Sequence, residues 1–257
     1  MSVIAIIQAR TSSTRLPKKV LLDLEGETVL ERVIKRVSCA SLVNKVIVAT
    51  SVEKNDDVIE EICSKIKVDC FRGSLDDVLD RFYQAAKKYH ADHVVRITAD
   101  CPLMDPSVID QVISIHLKKQ CDYTSNTLKD TYPDGEDVEV IIFSALEKAW
   151  KEARLLSERE LVTPYIRKNP EIFSLGSVES GQNVSDQRWT LDNPEDYTFI
   201  KTVYRHFYAK NKTEFGMNDV LSLLRSDEKV GLLNSHIKRN EGYSKSLRED
   251  KEILLNG

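Results

Sequence analysis

The chain of 257 residues is 41% hydrophobic and 30% charged with a net charge of −4, the balance of a soluble globular protein able to bury a large core. No face-wide basic excess points to nucleic acid, and no apolar stretch approaches the roughly 20 residues that a membrane span needs. The five cysteines, Cys39, Cys63, Cys70, Cys101 and Cys121, are odd in number and form no C-x-x-C pair, which reads as reduced thiols in a cytoplasmic protein without a signal peptide. The histidines lack H-E-x-x-H spacing, so His90 and His93 read as surface or packing residues.

The first element expected is a buried strand, Val3–Gln8. The loop after it, QARTSSTRLPKK, packs Arg10, Arg15, Lys18 and Lys19 around Thr11, Ser12, Ser13 and Thr14. This loop lies at the carboxyl end of a strand, the edge where open α/β sheets bind ligands. Hydroxyls and backbone N–H groups can ring an anion while arginine forks grip phosphate oxygens. A polyphosphate is the ligand expected; the alternative is a solvated basic loop.

Further strands are expected at Lys45–Thr50, Val68–Phe71 and His93–Thr98, alternating with helices at Val29–Val37, Asp56–Ile66 and Leu75–Tyr89, the rhythm of a mainly parallel sheet. Ser74 and Asp77 resemble a capping pair, and Pro106 suits the first turn of another helix, with Asp105 as its cap. Beyond Lys119 the pattern predicts strands near Asp122–Asn126 and Val138–Phe143, a turn at Tyr132–Gly135, and helices near Ala145–Arg154 and Glu158–Arg167. A short strand, Gln187–Leu191, then leads into a helix opened by Pro194, and polar turns and short helical patterns follow from Phe215.

No G-x-x-x-x-G-K-[ST] occurs, and no two of the nine glycines are two residues apart, which excludes Walker and G-x-G-x-x-G loops. Polyphosphate chemistry generally needs a hard divalent cation held by oxygens. Asp100 and Asp192 each end a predicted strand just ahead of a proline, and in a parallel sheet both fall on the same edge as the basic loop. Each alone reads equally as a turn or capping residue; together they suggest a metal site assembled from distant sequence.

Arg10, Ser13, Thr14, Arg15, Leu16, Pro17 and Lys19 form R-x-x-S-T-R-L-P-x-K, which resembles the signature loop of the cytidylyltransferases that make CMP-sugars, including CMP-Kdo synthetase and acylneuraminate cytidylyltransferase. RGSLDDVLDRF, RITADCPLMDP, YPDGEDVEV, ERELVTPY and RWTLDNPEDY narrow the resemblance to the branch named after the spore coat polysaccharide protein SpsF. The resemblance implies an α/β fold, a Rossmann-like mainly parallel sheet flanked by helices of the nucleotide-diphospho-sugar transferase type, with a small inserted subdomain. It divides the chain into a cytidylyltransferase domain over 1–215, with an acceptor or dimerisation insertion at about 120–186, and a helical extension over 216–257.

The implied reaction uses CTP and Mg²⁺, releases pyrophosphate, and joins CMP to a sugar acid or related acceptor for surface polysaccharide synthesis. Arg10, Ser13, Arg15 and Lys19, with Thr11 and Ser12 between them, would hold the triphosphate, and Lys19 with the two arginines would offset charge on the departing pyrophosphate. Asp100 and Asp192 match the metal-binding aspartates, and Thr98 and Ala99 in front of Asp100 fall on the nucleotide side. Arg72 and Gly73 are expected near the ribose or base. Asp134, Gly135, Glu136 and Glu139 are candidates for the acceptor pocket, and Arg188 for binding an acceptor carboxylate; a turn and a strand edge explain the same residues without a ligand. Asp77, Asp80 and Arg81 read first as a salt-bridged helix face.

The family implies small-molecule partners and a homodimer. Lys18 stands where the resemblance expects glycine, and Leu161 where it expects histidine. These departures keep open a nucleotide-binding homologue without catalysis. A GT-A glycosyltransferase is the other alternative, and the lack of any D-x-D counts against it.

Overall fold

The computed structural model describes residues 1–239; residues 240–257, the last part of the expected C-terminal extension, lie outside them. The elements follow in chain order as β1 Val3–Gln8, β2 Asp23–Leu24, β3 Glu27–Thr28, α1 Val29–Ser38, β4 Lys45–Ser51, α2 Asp57–Lys65, β5 Asp69–Gly73, α3 Val78–Lys88, β6 His93–Thr98 and α4 Pro106–Lys119. The second half contains β7 Tyr123–Ser125, β8 Glu139–Ile142, α5 Phe143–Glu152, α6 Leu156–Leu161, α7 Pro164–Lys168, β9 Leu175–Ser177, α8 Pro194–Tyr208, α9 Met217–Ser226 and α10 Glu228–Gly231.

One sheet of seven strands runs in the order β5-β4-β1-β6-β8-β7-β9. The strands β5, β4, β1 and β6 are mutually parallel, and β8 turns antiparallel against β6. Central β1 is apolar from Val3 to Ile7 because both its faces are covered. Val3, Ala5 and Ile7 pack with α1, α2 and α4 on one face, while Ile4 and Ile6 pack with α3, α5 and α7 on the other. Each of these valine and isoleucine side chains, fully buried, stabilises the fold by roughly 1.5–3 kcal/mol. A third cluster joins α8 and α9 around Trp189, Leu103 and Leu24.

Strand and helix positions in the first half agree with the sequence pattern to within about a turn. Helix α1 starts on a capping box between Thr28 and Glu31, and Asp105 caps α4 through Ser107 N–H at 2.8 Å. Helix α3 starts three residues later than expected: Ser74 Oγ first accepts from Asp77 N–H, and Asp77 then caps the helix through Asp80 N–H. The segment 120–186, expected as the insertion, supplies β7, β8 and β9 to the same sheet.

Three expectations change. The helix expected over Glu158–Arg167 is two short helices, because Pro164 has no N–H to continue the ladder. Between them Val162 takes φ 72 and ψ −53, and Thr163 N–H bonds back to Leu161 C=O at 2.9 Å, a tight γ-turn. The expected strand Gln187–Leu191 is a single bridge between Asp134 and Arg188, since its backbone divides its bonds between two different partners described below. The β2–β3 hairpin and β9 are additional; Glu25 and Gly26, both at positive φ, make the hairpin turn. No helix among the described residues is long and apolar enough to cross a membrane.

His93 is a packing residue, as its position suggested. Its Nδ1 lies 2.9 Å from Nε2 of fully buried His116, whose Nδ1 lies 3.0 Å from Thr124 Oγ1. Burial, reinforced by the neighbouring His93, lowers His116 to about 4. The unfolded chain therefore binds more protons than the folded one from the ordinary histidine value near pH 6.5 down to about 4. Stability is complete above that window and is lost as pH falls through it. Denaturant unfolding at pH 7.5 and pH 5 should show the loss, and His116→Gln should remove most of the difference.

Candidate functional site

The β1 loop is closed at its base by a buried anchor. Thr11 donates both its backbone N–H and its hydroxyl to Asp56 Oδ1, each at 2.7 Å, while Ser51 donates to Asp56 Oδ2. The carbonyl of Thr11 accepts from both Ser13 N–H and Lys18 N–H, at 2.9 and 3.1 Å. Thr11 is thus a loop anchor; its hydroxyl is spent on Asp56, which corrects the expectation that it contacts phosphate. Lys18 ends the loop at φ 57 and ψ 27, the left-handed conformation that glycine adopts most easily. The lysine adopts it nonetheless, and the turn at Lys19–Leu21 follows.

From that turn Lys19 reaches across the sheet edge. Its Nζ donates to Asp100 Oδ2 at 2.6 Å and to Asp192 Oδ1 at 2.7 Å, and Arg15 pairs with Asp192 Oδ2 at 2.8 Å. Three sequence-distant segments therefore meet on the rim beyond the carboxyl ends of β1 and β6. Burial disfavours the Lys19 charge, yet the two carboxylates outweigh it and hold its pKa above the ordinary lysine value. Burial likewise opposes ionisation of Asp100, and the Lys19 ammonium overcomes it, bringing that carboxyl down to about 2.

Backbone contacts set the two aspartates in place. Ala99 N–H extends the β1–β6 pairing by donating to Gln8 C=O at 3.0 Å, and Thr98 Oγ1 lies 3.1 Å from Cys101 Sγ. Buried Ala99 and half-buried Thr98 therefore brace the turn that carries Asp100. The 187–192 segment is stitched to Asp134 by Asp134 N–H to Gln187 C=O and Trp189 N–H to Asp134 C=O, at 2.9 and 2.6 Å, and then to Asp100 by Leu191 N–H to Asp100 C=O at 2.8 Å. This last bond brings Asp192 beside Asp100.

Beneath Asp192 lies a buried ionic platform. Arg188 forks onto Asp196 at 2.9 and 3.0 Å, reaches Asp134 at 2.9 Å, and stands 3.6 Å from Asp192. Asp196 Oδ2 in turn accepts from Asp192 N–H and Asn193 N–H. Asn234 donates to Asp196 Oδ1 and to Arg188 C=O, both at 2.9 Å. Burial raises the pKa of Asp134 against the pull of Arg239 and Arg188. Asp196 and Asn234 were not expected; the N-P-E-D spacing holds the capping signal for Asp196, whereas nothing local marks Asn234.

Several expected ligand contacts are instead internal. The Arg188 guanidinium, buried among three carboxylates, positions Asp192 and is not directed to an acceptor. Glu139 is consumed by an ion pair with Arg96 and by Tyr123 Oη and Thr163 Oγ1 at 2.6 and 2.7 Å. Burial opposes its ionisation, but Arg96 leads a set of partners that lowers its pKa. Glu136 is buried and accepts from Asp105 N–H. Arg72 holds the sheet edge to α2 through Asp57 and Glu60 and donates to Ser51 and Glu53 carbonyls. Ser12 and Arg10 remain exposed on the loop.

The residues fit a hard cation. One ammonium nitrogen touches a carboxylate oxygen of each aspartate, so both can reach one ion, and Mg²⁺ is typically held by one or two carboxylates with substrate phosphates completing its shell. Among the described residues no group of three or more His, Cys, Asp or Glu could hold a metal by itself.

Residues 4–229 match the family model described as Cytidylyltransferase. The chain is 31% identical to the spore coat polysaccharide biosynthesis protein SpsF of Bacillus subtilis, over 86% of this chain and 93% of that protein. It is 38% identical to the 3-deoxy-manno-octulosonate cytidylyltransferase of Trichlorobacter lovleyi over 44% of each chain. Among solved structures, a cytidylyltransferase from Leptospira borgpetersenii superposes with a TM-score of 0.87 at 34% identity, covering 93% of this chain and 100% of that one.

Gly135 supplies a test of the stitching. At φ 113, a Cβ there would lie 2.6 Å from both Thr190 N and Trp189 C, so its part is to admit the 187–192 backbone. Gly135→Ala should cost about 2 kcal/mol or more, read by denaturant unfolding, and should shift the loop that carries Asp192.

Proposed function

This chain belongs to the cytidylyltransferase family, and from that premise we propose that it transfers CMP from CTP to a sugar acid or related hydroxyl acceptor for surface polysaccharide synthesis. The observation that carries the site assignment is the Lys19 ammonium held between Asp100 and Asp192, with Arg15 closing on Asp192. In this reading an acceptor hydroxyl oxygen attacks the α-phosphorus of CTP, a new P–O bond forms, and the bond to the β-phosphate bridging oxygen breaks to release pyrophosphate. Displacement of this kind leaves the protein mainly positioning and charge stabilisation to supply.

The loop residues divide that work. Lys19, its charge favoured by the two carboxylates, and Arg15 exchange carboxylate for phosphate oxygens, so the charge that gathers on the leaving pyrophosphate meets donors already in place. Arg10, Ser12 and Ser13 add donors along the loop. Asp100 and Asp192, with hard oxygens at one point, are the residues that would hold Mg²⁺. When bound, that ion neutralises charge on phosphate oxygens. The left-handed Lys18 completes the loop turn in spite of its side chain, which supports a loop able to wrap phosphates; Leu161, where the resemblance expects histidine, bears on the acceptor. The acid acceptor is supported by the 3-deoxy-manno-octulosonate cytidylyltransferase relative.

Losing one preorganised donor to developing charge typically costs about a hundred- to a thousandfold in rate. Lys19→Ala and Asp192→Asn should each lose that much pyrophosphate release from CTP, measured against a panel of 2-keto-3-deoxy sugar acids on protein shown by circular dichroism to be folded; Lys19→Ala should also melt lower than the parent, because it leaves Asp100 and Asp192 without the cation between them. Release near the parental rate in either variant would refute the assignment.

A further inference from the structure

The segment that follows α10 returns to the rear of the rim and is fixed there at both ends. Asn234 is 2% exposed, and its side-chain nitrogen donates to Asp196 Oδ1 and to Arg188 C=O, both at 2.9 Å. A primary amide nitrogen carries two N–H donors, so both are engaged. Further on, Arg239 Nη1 donates to Tyr132 C=O at 3.0 Å, and its Nη2 reaches Asp137 Oδ1 at 3.2 Å. Between these anchors the chain turns through Ile237 N–H to Asn234 C=O at 3.0 Å, and Arg188 Nη1 stands 3.4 Å from Lys238 C=O.

The partners of Asn234 are the two groups that set Asp192. Asp196 Oδ2 accepts from the backbone N–H groups of Asp192 and Asn193 at 3.0 and 2.9 Å. Arg188 grips both oxygens of Asp196 and lies 3.6 Å from Asp192 Oδ2. Rotation of the Asp196 carboxylate would carry Oδ2 off those N–H groups, and a guanidinium on a long stem can turn with it. A donor to Oδ1 whose own chain is anchored elsewhere opposes that rotation. Asn234 is such a donor, 38 residues from Asp196 in sequence. By holding the Arg188 carbonyl as well, it ties the carboxylate and the backbone of its arginine to one amide.

We propose that Asn234 is a positioning residue for cytidylyl transfer: through Asp196 it fixes the backbone at Asp192 and so keeps that carboxylate beside Asp100, where the two can share a divalent cation. The inference rests on the reading of Asp100 and Asp192 as the cation-holding pair and extends the machinery to a segment behind it. Both amide donors are spent on Asp196 and Arg188, so Asn234 acts on Asp192 through them and takes no part in the chemistry. Arg239 keeps the segment seated against the 130–137 loop, which makes the place of Asn234 independent of its own two bonds. Partners that orient a metal ligand from behind typically change metal affinity 10–100-fold when lost.

Manganese(II) binding to the full chain with CTP, followed by electron paramagnetic resonance, tests this alongside the Mg²⁺ dependence of pyrophosphate release. Asn234→Leu keeps the volume and removes both donors. It should weaken manganese binding and raise the half-saturating Mg²⁺ concentration by about tenfold each, with turnover largely restored at saturating Mg²⁺. Val112→Ala, a truncation in the core face of α4, is the control: it should lower the melting temperature and leave both metal readouts at parental values. Parental manganese affinity in Asn234→Leu overturns the proposal, as does an equal shift in Val112→Ala, which would make the effect one of general destabilisation. Should Asn234→Leu not fold, Asn234→Ser is read against the same two outcomes. Asp192→Asn separates the two levels of the argument. If it leaves manganese binding unchanged, the cation assignment falls and this inference with it, whereas a loss there beside parental binding in Asn234→Leu defeats this inference alone.

Discussion

A single ammonium compensating two carboxylates organises this molecule. Lys19 touches Asp100 and Asp192, which lie 81 and 173 residues away in sequence, and neither carboxylate would tolerate the other at that range without a cation between them. Everything around the trio serves to keep its members in register. The parallel pairing of β1 with β6 sets the loop beside Asp100, and the backbone bond from Leu191 to Asp100 sets Asp192 on the same side. Contacts of such separation reward the chain late in folding, so the rim is complete only when most of the structure is.

The ionic platform below the rim solves a second problem, the burial of charge beside more charge. Arg188 binds two carboxylates directly and stands near a third, and two of the three, Asp196 and Asp192, also have donors of their own from the backbone, Asn234, Lys19 and Arg15. Such a network is stiff because every member has its partners. Asp196 does double duty, capping α8 while fixing the backbone of Asp192. By contrast Arg81 is buried with one bond to the Ser74 carbonyl and an unpartnered Nε.

Much of the architecture was legible because the signals are local. Strand β1 is apolar on both faces, prolines follow Asp100 and Asp192 closely, and the hydroxyl-and-arginine loop has a composition few other elements share. What residue type alone does not reveal is partner choice. Arg188, Glu139 and Arg72 look like ligand-binding groups until their long-range partners are known, and Thr11 looks like its neighbours Ser12 and Ser13 until Asp56 is found beneath it. Arg81 shows the reverse. Its spacing from Asp77 suggests a surface pair, and only the packing of α3 on the sheet shows that it is enclosed. The break at Val162 was missed because the apolar periodicity continues through it, although Pro164 is a sufficient reason for the helix to stop.

Asn234 gives the last described turns of the chain a share in the rim that holds Lys19, Asp100 and Asp192. One side-chain amide ties that segment to the same carboxylate that fixes the Asp192 backbone, so the terminal segment serves as a keystone set from behind. Trimming or proteolytic nicking ahead of Asn234 would accordingly act as an injury to the edge that carries Asp100 and Asp192, delivered from the rear of the protein without touching a single residue of the loop after β1.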